Sequence, residues 1–332
     1  MLKLFAIDGR RSAKDNAGSL GYASPRRRPE VASMTLLRSF TLALLLLLLC
    51  VPLIQAQSSS IITDANITFT TIDVPGAVDT QVSAINSAGD MVGYYGQSDY
   101  GPATSFLYSN GTFTFFNYPG EPVTAALGIN DAGVIVGYAT QVPGEQYKLV
   151  GFLYDGTTFT TLQDGNDQAT YAWGINNAGV VVGAAGSFSV TRGYVLLNGR
   201  YRIISFPGQY VYGIATSINN RKRIVGITDY DAFLYHNGTF LNIDFPGAQR
   251  TVAYGINDSG IVVGYYNPIA TNDYYGFAWK NGQFISFKYT HSKATLAFSI
   301  NGSGQIVGEY SFDLLTWHGF VTSPLTSASF PE

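Results

Sequence analysis

Apolar and polar positions alternate in short runs along most of this chain. Six times between positions 85 and 308 the same phrase recurs: Ile-Asn, a polar turn, usually a glycine, then an aliphatic run closing on Val-Gly. The copies begin at Ile85, Ile129, Ile175, Ile218, Ile256 and Ile300, a spacing of 38 to 46 residues. That period is the one at which a single copy makes a four-stranded blade of a β-propeller. Each copy is preceded by a strand-like run, such as AYGIN ending at Asn257, and followed by another, such as IVVGYY ending at Tyr266. Two such runs around a tight turn predict a hairpin. Asn86, Asn130, Asn176, Asn257 and Asn301 suit the turn because their side chains bond the backbone two residues on, and Gly89, Gly133, Gly179, Gly260 and Gly304 because they accept positive φ. Lys222 holds the glycine place in the fourth copy, where a left-handed lysine costs roughly 1–2 kcal/mol.

A second motif follows each hairpin, incomplete only in the last copy: an aromatic strand, a short loop ending in Gly, and another aromatic strand, as in SFLYSNGTFTFF (105–116), AFLYHNGTFLNI (232–243) and GFAWKNGQFISF (276–287). Asn-Gly between aromatic or β-branched runs is a strong hairpin signal. The second strand often leaves through Pro-Gly, as at Pro75-Gly76, Pro119-Gly120, Pro207-Gly208 and Pro246-Gly247, since proline offers the ladder no donor. The first strand-like run, TFTTIDV (68–74), is a lone copy of the fourth strand, whereas the last copy, residues 298–321, supplies only three. The total is then six sets of four. An open solenoid has no reason to split one repeat between the two chain ends, whereas a ring gains a clasp that removes an exposed edge. The expectation is an all-β, six-bladed β-propeller of four-stranded blades, its last blade closed by the N-terminal strand. The Ile-Asn strand should lie innermost, by analogy with other four-stranded blades.

The segments GINDAGVIVGY from Gly128 and GFLYDGTTFTTL from Gly151 resemble the HAF-repeat family of extracellular repeat proteins. The tripeptide behind that name stands here in altered form as His318-Gly319-Phe320 and, without the His, as Ala232-Phe233. The resemblance covers residues 66–323. It implies export and a repeat architecture, and it brings no catalytic residues to carry over.

The termini point to export as well. Residues 36–57 read LLRSFTLALLLLLLCVPLIQAQ, a basic residue before an apolar run, then Pro52 and the small residue Ala56. This is the layout of a secretory signal peptide, and the run is shorter than the roughly 20 apolar residues of a membrane span. Met34 stands where such a peptide would begin. The expected division is a non-native extension over 1–33, a signal peptide over 34–56, a linker over 57–66, the propeller over 67–323 and a tail over 324–332. The product is expected to be secreted, extracellular or periplasmic, and not inserted in the membrane after cleavage. The one cysteine, Cys50, lies inside the apolar run, so no disulfide staples the mature chain. Residues 1–56 hold 8 of the 19 Lys+Arg and 3 of the 22 Asp+Glu, which leaves the remainder at net −8. That charge disfavours nucleic acid and anionic membrane surfaces, and a monomer is expected.

Chemistry is harder to read. The loops that follow the Val-Gly strands are rich in aromatics, and Tyr100, Tyr147, Tyr274, Tyr275 and Trp317 are the candidate ligand-binding residues. Flat rings with a polar edge suit stacking on a sugar or docking a surface protein, although strands are also rich in tyrosine for packing reasons alone. The same regions carry Asp79, Asp99, Glu121, Glu145, Asp229, Asp231, Asp273, Glu309 and Asp313. A glycan-active enzyme needs two such carboxylates across a cleft, about 5–9 Å apart, a spacing no linear motif encodes here. The three histidines are scattered singly and no phosphate loop is present, so no metal and no cofactor is expected. The expectation is a non-catalytic binding or scaffold module for a polysaccharide or surface protein, with a glycoside hydrolase or lyase as the alternative.

Overall fold

The computed structural model describes residues 61–63, 67–97, 101–140, 149–163, 169–187, 190–206, 212–229, 231–325 and 329–330. They fall in one of the two compact units of the chain. The other, Lys3–Ser58, lies outside the described residues together with the expected signal peptide.

The described residues are strands and turns with no α-helix. Two short strands open the fold, β1 (Ile61–Thr63) and β2 (Phe69–Ile72). The first copy forms β3 (Asp79–Ile85), β4 (Met91–Gly96), β5 (Ala103–Ser109) and β6 (Thr112–Phe116). The second forms β7 (Val123–Ile129), β8 (Ile135–Thr140), β9 (Leu149–Tyr154) and β10 (Phe159–Leu162). The third forms β11 (Ala169–Ile175), β12 (Val181–Gly186), β13 (Thr191–Leu197) and β14 (Arg200–Ile203). The fourth forms β15 (Gly213–Ile218), β16 (Ile224–Thr228), β17 (Ala232–His236) and β18 (Thr239–Ile243). The fifth forms β19 (Ala248–Ile256), β20 (Val262–Pro268), β21 (Tyr275–Lys280) and β22 (Gln283–Phe287). The last forms β23 (Ala294–Ile300), β24 (Ile306–Ser311) and β25 (His318–Thr322).

Each copy pairs as a four-stranded antiparallel meander, and the last draws its fourth strand from the other end of the chain: β2 lies along β25 with Phe69 opposite Thr322 and Ile72 opposite Gly319. Single-residue parallel bridges, Ala103 to Val123 and Leu149 to Ala169, join the first three units into one twelve-stranded sheet, and among the described residues no sheet closes on itself. The residues read as a linker contain one more strand, since β1 runs parallel to β22 and gives the fifth unit a fifth strand. An outer strand presents a row of unpaired backbone groups, and even a short apolar segment gains ladder bonds by lying along it.

In most units burial is greatest on the first two strands and least on the fourth. All seven positions of β7 are buried, whereas none of β6 is. The first strands pack in cyclic order, β3 on β7, β7 on β11, β11 on β15, β15 on β19, β19 on β23 and β23 on β3. Between first and second strands every unit carries a register shift that leaves one residue unpaired, for example between Ala126 and Gly128. A bulge of this kind bends the strand and raises its twist. It also explains the Val-Gly signature. A Cβ built on Gly137 would sit 2.0 Å from the Ala125 carbonyl oxygen and 2.8 Å from the ring of Phe152 on the third strand. The same clash recurs at Gly93, Gly183, Gly226, Gly264 and Gly308, against Phe106, Tyr194, Phe233, Phe277 and Phe320 in turn. The glycine and the aromatic ring of the third strand are therefore one packing unit, and those rings are among the largest fully buried side chains.

Candidate functional site

The first strands have two chemically different ends. At one end lie the Ile-Asn turns. In the third copy, Asn176 Oδ1 accepts the Ala178 N–H at 3.1 Å and the Val180 N–H at 3.0 Å, while its Nδ2 donates to the Asn219 carbonyl at 3.2 Å. The same inter-unit bond runs from Asn86 to Asn130, Asn130 to Asn176, Asn219 to Asn257, Asn257 to Asn301 and Asn301 back to Asn86, at 2.9 to 3.5 Å. The cycle returns to its start. The sequence reading missed Asn219, although the Ile218-Asn219 pair was there to be aligned with the others. The turn glycines Gly89, Gly133, Gly179, Gly260 and Gly304 have φ between 73° and 92°, and Lys222 sits at φ 60° in their place.

A depression of about 450 Å³, open to solvent, is lined by the six Ile-Asn pairs and the residues that follow them. On its rim the Ser87, Asp131, Asn177 and Asn220 N–H groups donate to Asp131, Asn177, Asn220 and Asp258 side chains at 2.8 to 3.0 Å. Burial alone would raise the Asp131 pKa, but the Ser87 and Asn177 donors outweigh it and hold the carboxyl below its ordinary value. The asparagine amides at this end are committed to neighbouring units, so the end acts as a lock between repeats.

The other end is aromatic. The residue after each Val-Gly is Tyr94, Tyr138, Ala184, Ile227, Tyr265 or Glu309, and opposite it on the first strand stand Gln81, Ala125, Tyr171, Ile214, Val252 and Leu296. The bulged residues are Ser83, Leu127, Trp173, Thr216, Tyr254 and Phe298. Rings interlock across units, Tyr254 with Phe298 at 5.0 Å and Trp173 at 6.1 Å, and Tyr138 with Tyr171 at 5.1 Å. The Tyr94 hydroxyl donates to Gln81 Oε1 at 2.6 Å, and Gln81 Nε2 donates to Ser83 Oγ at 3.1 Å. Trp173 Nε1 is buried with no hydrogen-bond partner among the described residues.

The electrostatics follow from this packing. Burial lifts the Tyr94 hydroxyl well above its ordinary value, with Tyr138, Glu309, Tyr254 and Asp79 adding to the effect. Burial does the same for Tyr254, reinforced by Tyr265 and Tyr212 and opposed by Arg250. Tyr171 is pushed up to about 12 by burial, and Tyr265 to about 12 by burial with Arg250 opposing and Tyr274 and Glu309 assisting. These phenols are neutral donors at any physiological pH. Glu309 adds to the upward shift of Tyr94, Tyr254 and Tyr265.

The candidates from sequence divide accordingly. Tyr100 and Tyr147, with Asp99 and Glu145, lie outside the described residues. Tyr274 is half-buried, bonds β23 through its backbone and meets Tyr265 edge-on at 5.9 Å, so it belongs to the aromatic end. Tyr275 stacks on Tyr266 at 5.5 Å under Lys288, whose Nζ is 4.4 Å from its ring and 2.6 Å from Asp273. Trp317 is a core side chain, 4% exposed, packed in one cluster with Tyr265 and Leu296, and the backbone N–H of this residue donates to Asp79 Oδ1 at 2.9 Å. Asp313 closes its own turn through the Leu315 and Thr316 N–H groups. Among the described residues no group of three or more His, Cys, Asp or Glu is placed to hold a metal ion.

No family model and no curated protein matches the chain. Solved structures do. A Hadza microbial sialidase aligns at 10% identity and TM-score 0.48 over 75% of this chain and 66% of its own, so this chain spans just under two thirds of its length. The Aleuria aurantia lectin, in complex with Fucalpha1-6GlcNAc, aligns at 12% identity and TM-score 0.42 over 79% of this chain and 99% of its own. The β-propeller domain of the trilobed protease from Pyrococcus furiosus aligns at 10% identity and TM-score 0.46 over 76% of this chain and 97% of its own.

Proposed function

We propose that this chain is an exported, six-bladed β-propeller of the HAF-repeat kind, closed by its N-terminal strand, which binds a glycan at the aromatic end of its first strands without acting on it. The architecture is supported by six four-stranded units, a sixth unit assembled from both chain ends, first strands packed in cyclic order and an asparagine cycle that runs through all six copies. Export is supported by residues 34–56 alone.

The observation that carries the binding reading is the make-up of the aromatic end. Half-buried Tyr94, Tyr171, Trp173 and Tyr254 bring aromatic rings together with the Trp173 indole donor, while the Tyr94 hydroxyl is held by Gln81. A sugar offers the matching pair of surfaces, an apolar ring face for stacking and hydroxyls for the donors. The buried Trp173 N–H adds a reason for occupancy, because a donor left without a partner costs about 1–3 kcal/mol and an incoming acceptor removes that cost. The test is a glycan array run beside a reducing-sugar release assay on the purified protein. Binding without release, weakened by Tyr254→Ala, is the expected result. Release of reducing ends that one carboxylate substitution abolishes would replace the module with a glycan-active enzyme, and silence in both assays would refute the glycan reading.

A further inference from the structure

The Ile-Asn end carries one turn unlike the others. After the asparagine of the cycle, five copies read Ser87-Ala88-Gly89-Asp90, Asp131-Ala132-Gly133-Val134, Asn177-Ala178-Gly179-Val180, Asp258-Ser259-Gly260-Ile261 and Gly302-Ser303-Gly304-Gln305, with three carboxylates and no cation. The fourth reads Asn220-Arg221-Lys222-Arg223. Asn219 closes this turn as its counterparts close theirs, its Oδ1 accepting the Arg221 and Arg223 N–H groups at 3.0 and 2.9 Å and its carbonyl the Lys222 N–H at 3.0 Å. Only the backbone of the three basic residues takes part, so the turn does not require their charges. Lys222 is moreover held at φ 60° where the other copies have glycine. A strained, charged residue is kept where glycine would be free of strain, which calls for a reason outside the fold.

More positive charge gathers beside this turn. In an antiparallel meander the first and third turns share an end, so the third-unit hairpin Leu197–Arg200 lies at the Ile-Asn end as well. On β14, Arg202 stands across from Val195, which packs in one cluster with Ile218, Ile224 and Tyr235 of the fourth unit, and Arg200 is two residues away on the same side of the strand. Arg200 and Arg202 therefore lie on the side of the third unit that faces the fourth. Arg200, Arg202, Arg221 and Lys222 are exposed and Arg223 is half-buried, its Nη1 lying 2.9 Å from the place a Cβ on Gly260 of the fifth unit would take. Among the described residues none of the five side chains has an ion-pair or hydrogen-bond partner. They are five of the 11 Lys+Arg beyond residue 56. The rim acid that meets the turn, Asp258, is occupied by the Asn220 N–H and Nδ2 at 2.8 and 2.7 Å.

We propose that these five cations form a binding site for an acidic polysaccharide, whose carboxylates or sulfates pair with them across the third and fourth units. Guanidinium forks match such oxyanions in a bidentate way, and cations spread over two units suit a polymer of repeated charges. A bilayer would meet the whole end and with it Asp90, Asp131, Asp155 and Asp258, which an anionic surface repels, whereas one polymer strand can keep to two units. Single-stranded nucleic acid stacks its bases on rings, and the segments 197–202 and 220–223 hold one aromatic residue, Tyr201, on the opposite side of β14 from Arg202 and packed toward the second unit. The site is at the other end from the aromatic residues and does not rest on the glycan reading above.

The probes are polygalacturonate, its fully methyl-esterified and so uncharged form, dextran sulfate, a single-stranded oligodeoxynucleotide and phosphatidylglycerol vesicles, each titrated calorimetrically into the purified chain at low and at physiological salt. At least one acidic polysaccharide is expected to bind about tenfold or more tighter than the methyl ester, and to weaken as salt rises. Lys222→Gly is expected to weaken it about fivefold while raising the melting temperature by about 2–8 °C as the strain is relieved. Arg221→Ala, Lys222→Gly and Arg223→Val together give the turn the sequence of the third copy, and are expected to cost about a hundredfold with no loss in the thermal melt. If neither acidic polymer binds more tightly than the methyl ester, a result that needs no variant, or if the triple variant binds as the wild type does, the inference is overturned. Tighter binding of the oligodeoxynucleotide or the vesicles, lost in the triple variant, overturns the polysaccharide as the ligand.

Discussion

Replacing Asn176 with alanine removes three hydrogen bonds at once from a residue that is 4% exposed. The Ala178 and Val180 N–H groups lose their shared acceptor, and the Asn219 carbonyl loses its donor from the neighbouring unit. Each buried backbone group left without a partner costs about 1–3 kcal/mol, but alanine leaves a small space that water reaches from the open depression, so a total of about 2–4 kcal/mol is expected. At roughly 2–4 °C per kcal/mol for a unit of this size, the melting temperature should fall by about 4–16 °C. Asn176→Asp separates the turn from the cycle. It keeps an oxygen for both turn N–H groups but turns a second oxygen toward the Asn219 carbonyl, so a loss comparable to alanine assigns the cost to the inter-unit bond. Asn301→Ala then tests the return step, since its Nδ2 bonds Asn86 across the two ends of the repeat array. The assay is urea unfolding with a matched thermal scan. If Asn176→Ala shifts stability by less than about 0.5 kcal/mol, the level of an ordinary surface substitution, the lock is not one. If Asn301→Ala is nearly silent while Asn176→Ala is costly, the cycle is open in solution.

Three further outcomes follow from the packing. Gly137→Ala drives a methyl into the Ala125 carbonyl and should cost more than about 3 kcal/mol or prevent folding, whereas Gly133→Ala, at φ 79° with nothing within 4 Å of the added carbon, should cost only about 1–2 kcal/mol; equal costs in urea melts would contradict the clash. Tyr171 and Tyr265 are held near 12 while an unfolded tyrosine ionises near 10, so the folded chain keeps protons that the unfolded chain has lost; stability is full below about pH 10 and falls as pH rises through 12, and urea midpoints unchanged between pH 8 and 11.5 would argue against desolvated phenols. Deleting residues 69–72 strips the outer strand from β25 and removes Phe69 from its edge-on contacts with Tyr289 and Phe320, which should lower the melting temperature and open the last unit to limited proteolysis; an unchanged melt would show that the N-terminal strand is no clasp.

Much of the fold was legible because it is written six times. The Ile-Asn turn, the aromatic hairpin and the split last copy each recur or fail to recur in ways that depend only on local chemistry, and strand order follows from them. Asn219 escaped notice although it was in plain view, because Lys222 breaks the glycine pattern of its turn and draws attention from the asparagine that does not change. The short strand β1 was beyond reach for a different reason. Three residues, Ile61–Thr63, carry no periodicity of their own and become a strand only because the outer edge of β22 offers them a ladder.

The aromatic end was read only in part, and the misplaced weight has a physical cause. Loop position was used as a proxy for exposure, which favoured Trp317, yet the side chain is drawn into the core beside Leu296 by a backbone bond to Asp79. Trp173 and Tyr254, which lie within strands, were passed over as packing because tyrosine and tryptophan suit strands in any case. The usable signal was departure from the repeat. The bulged position of the first strand, Ser83, Leu127, Trp173, Thr216, Tyr254 and Phe298 in turn, is one that the repeat leaves open. In a symmetric array the conserved positions report what holds the units together. A ligand without that symmetry must be met by the positions where the copies differ, and at the aromatic end those include Trp173 and Tyr254, bulged residues whose counterparts in the first two copies are Ser83 and Leu127.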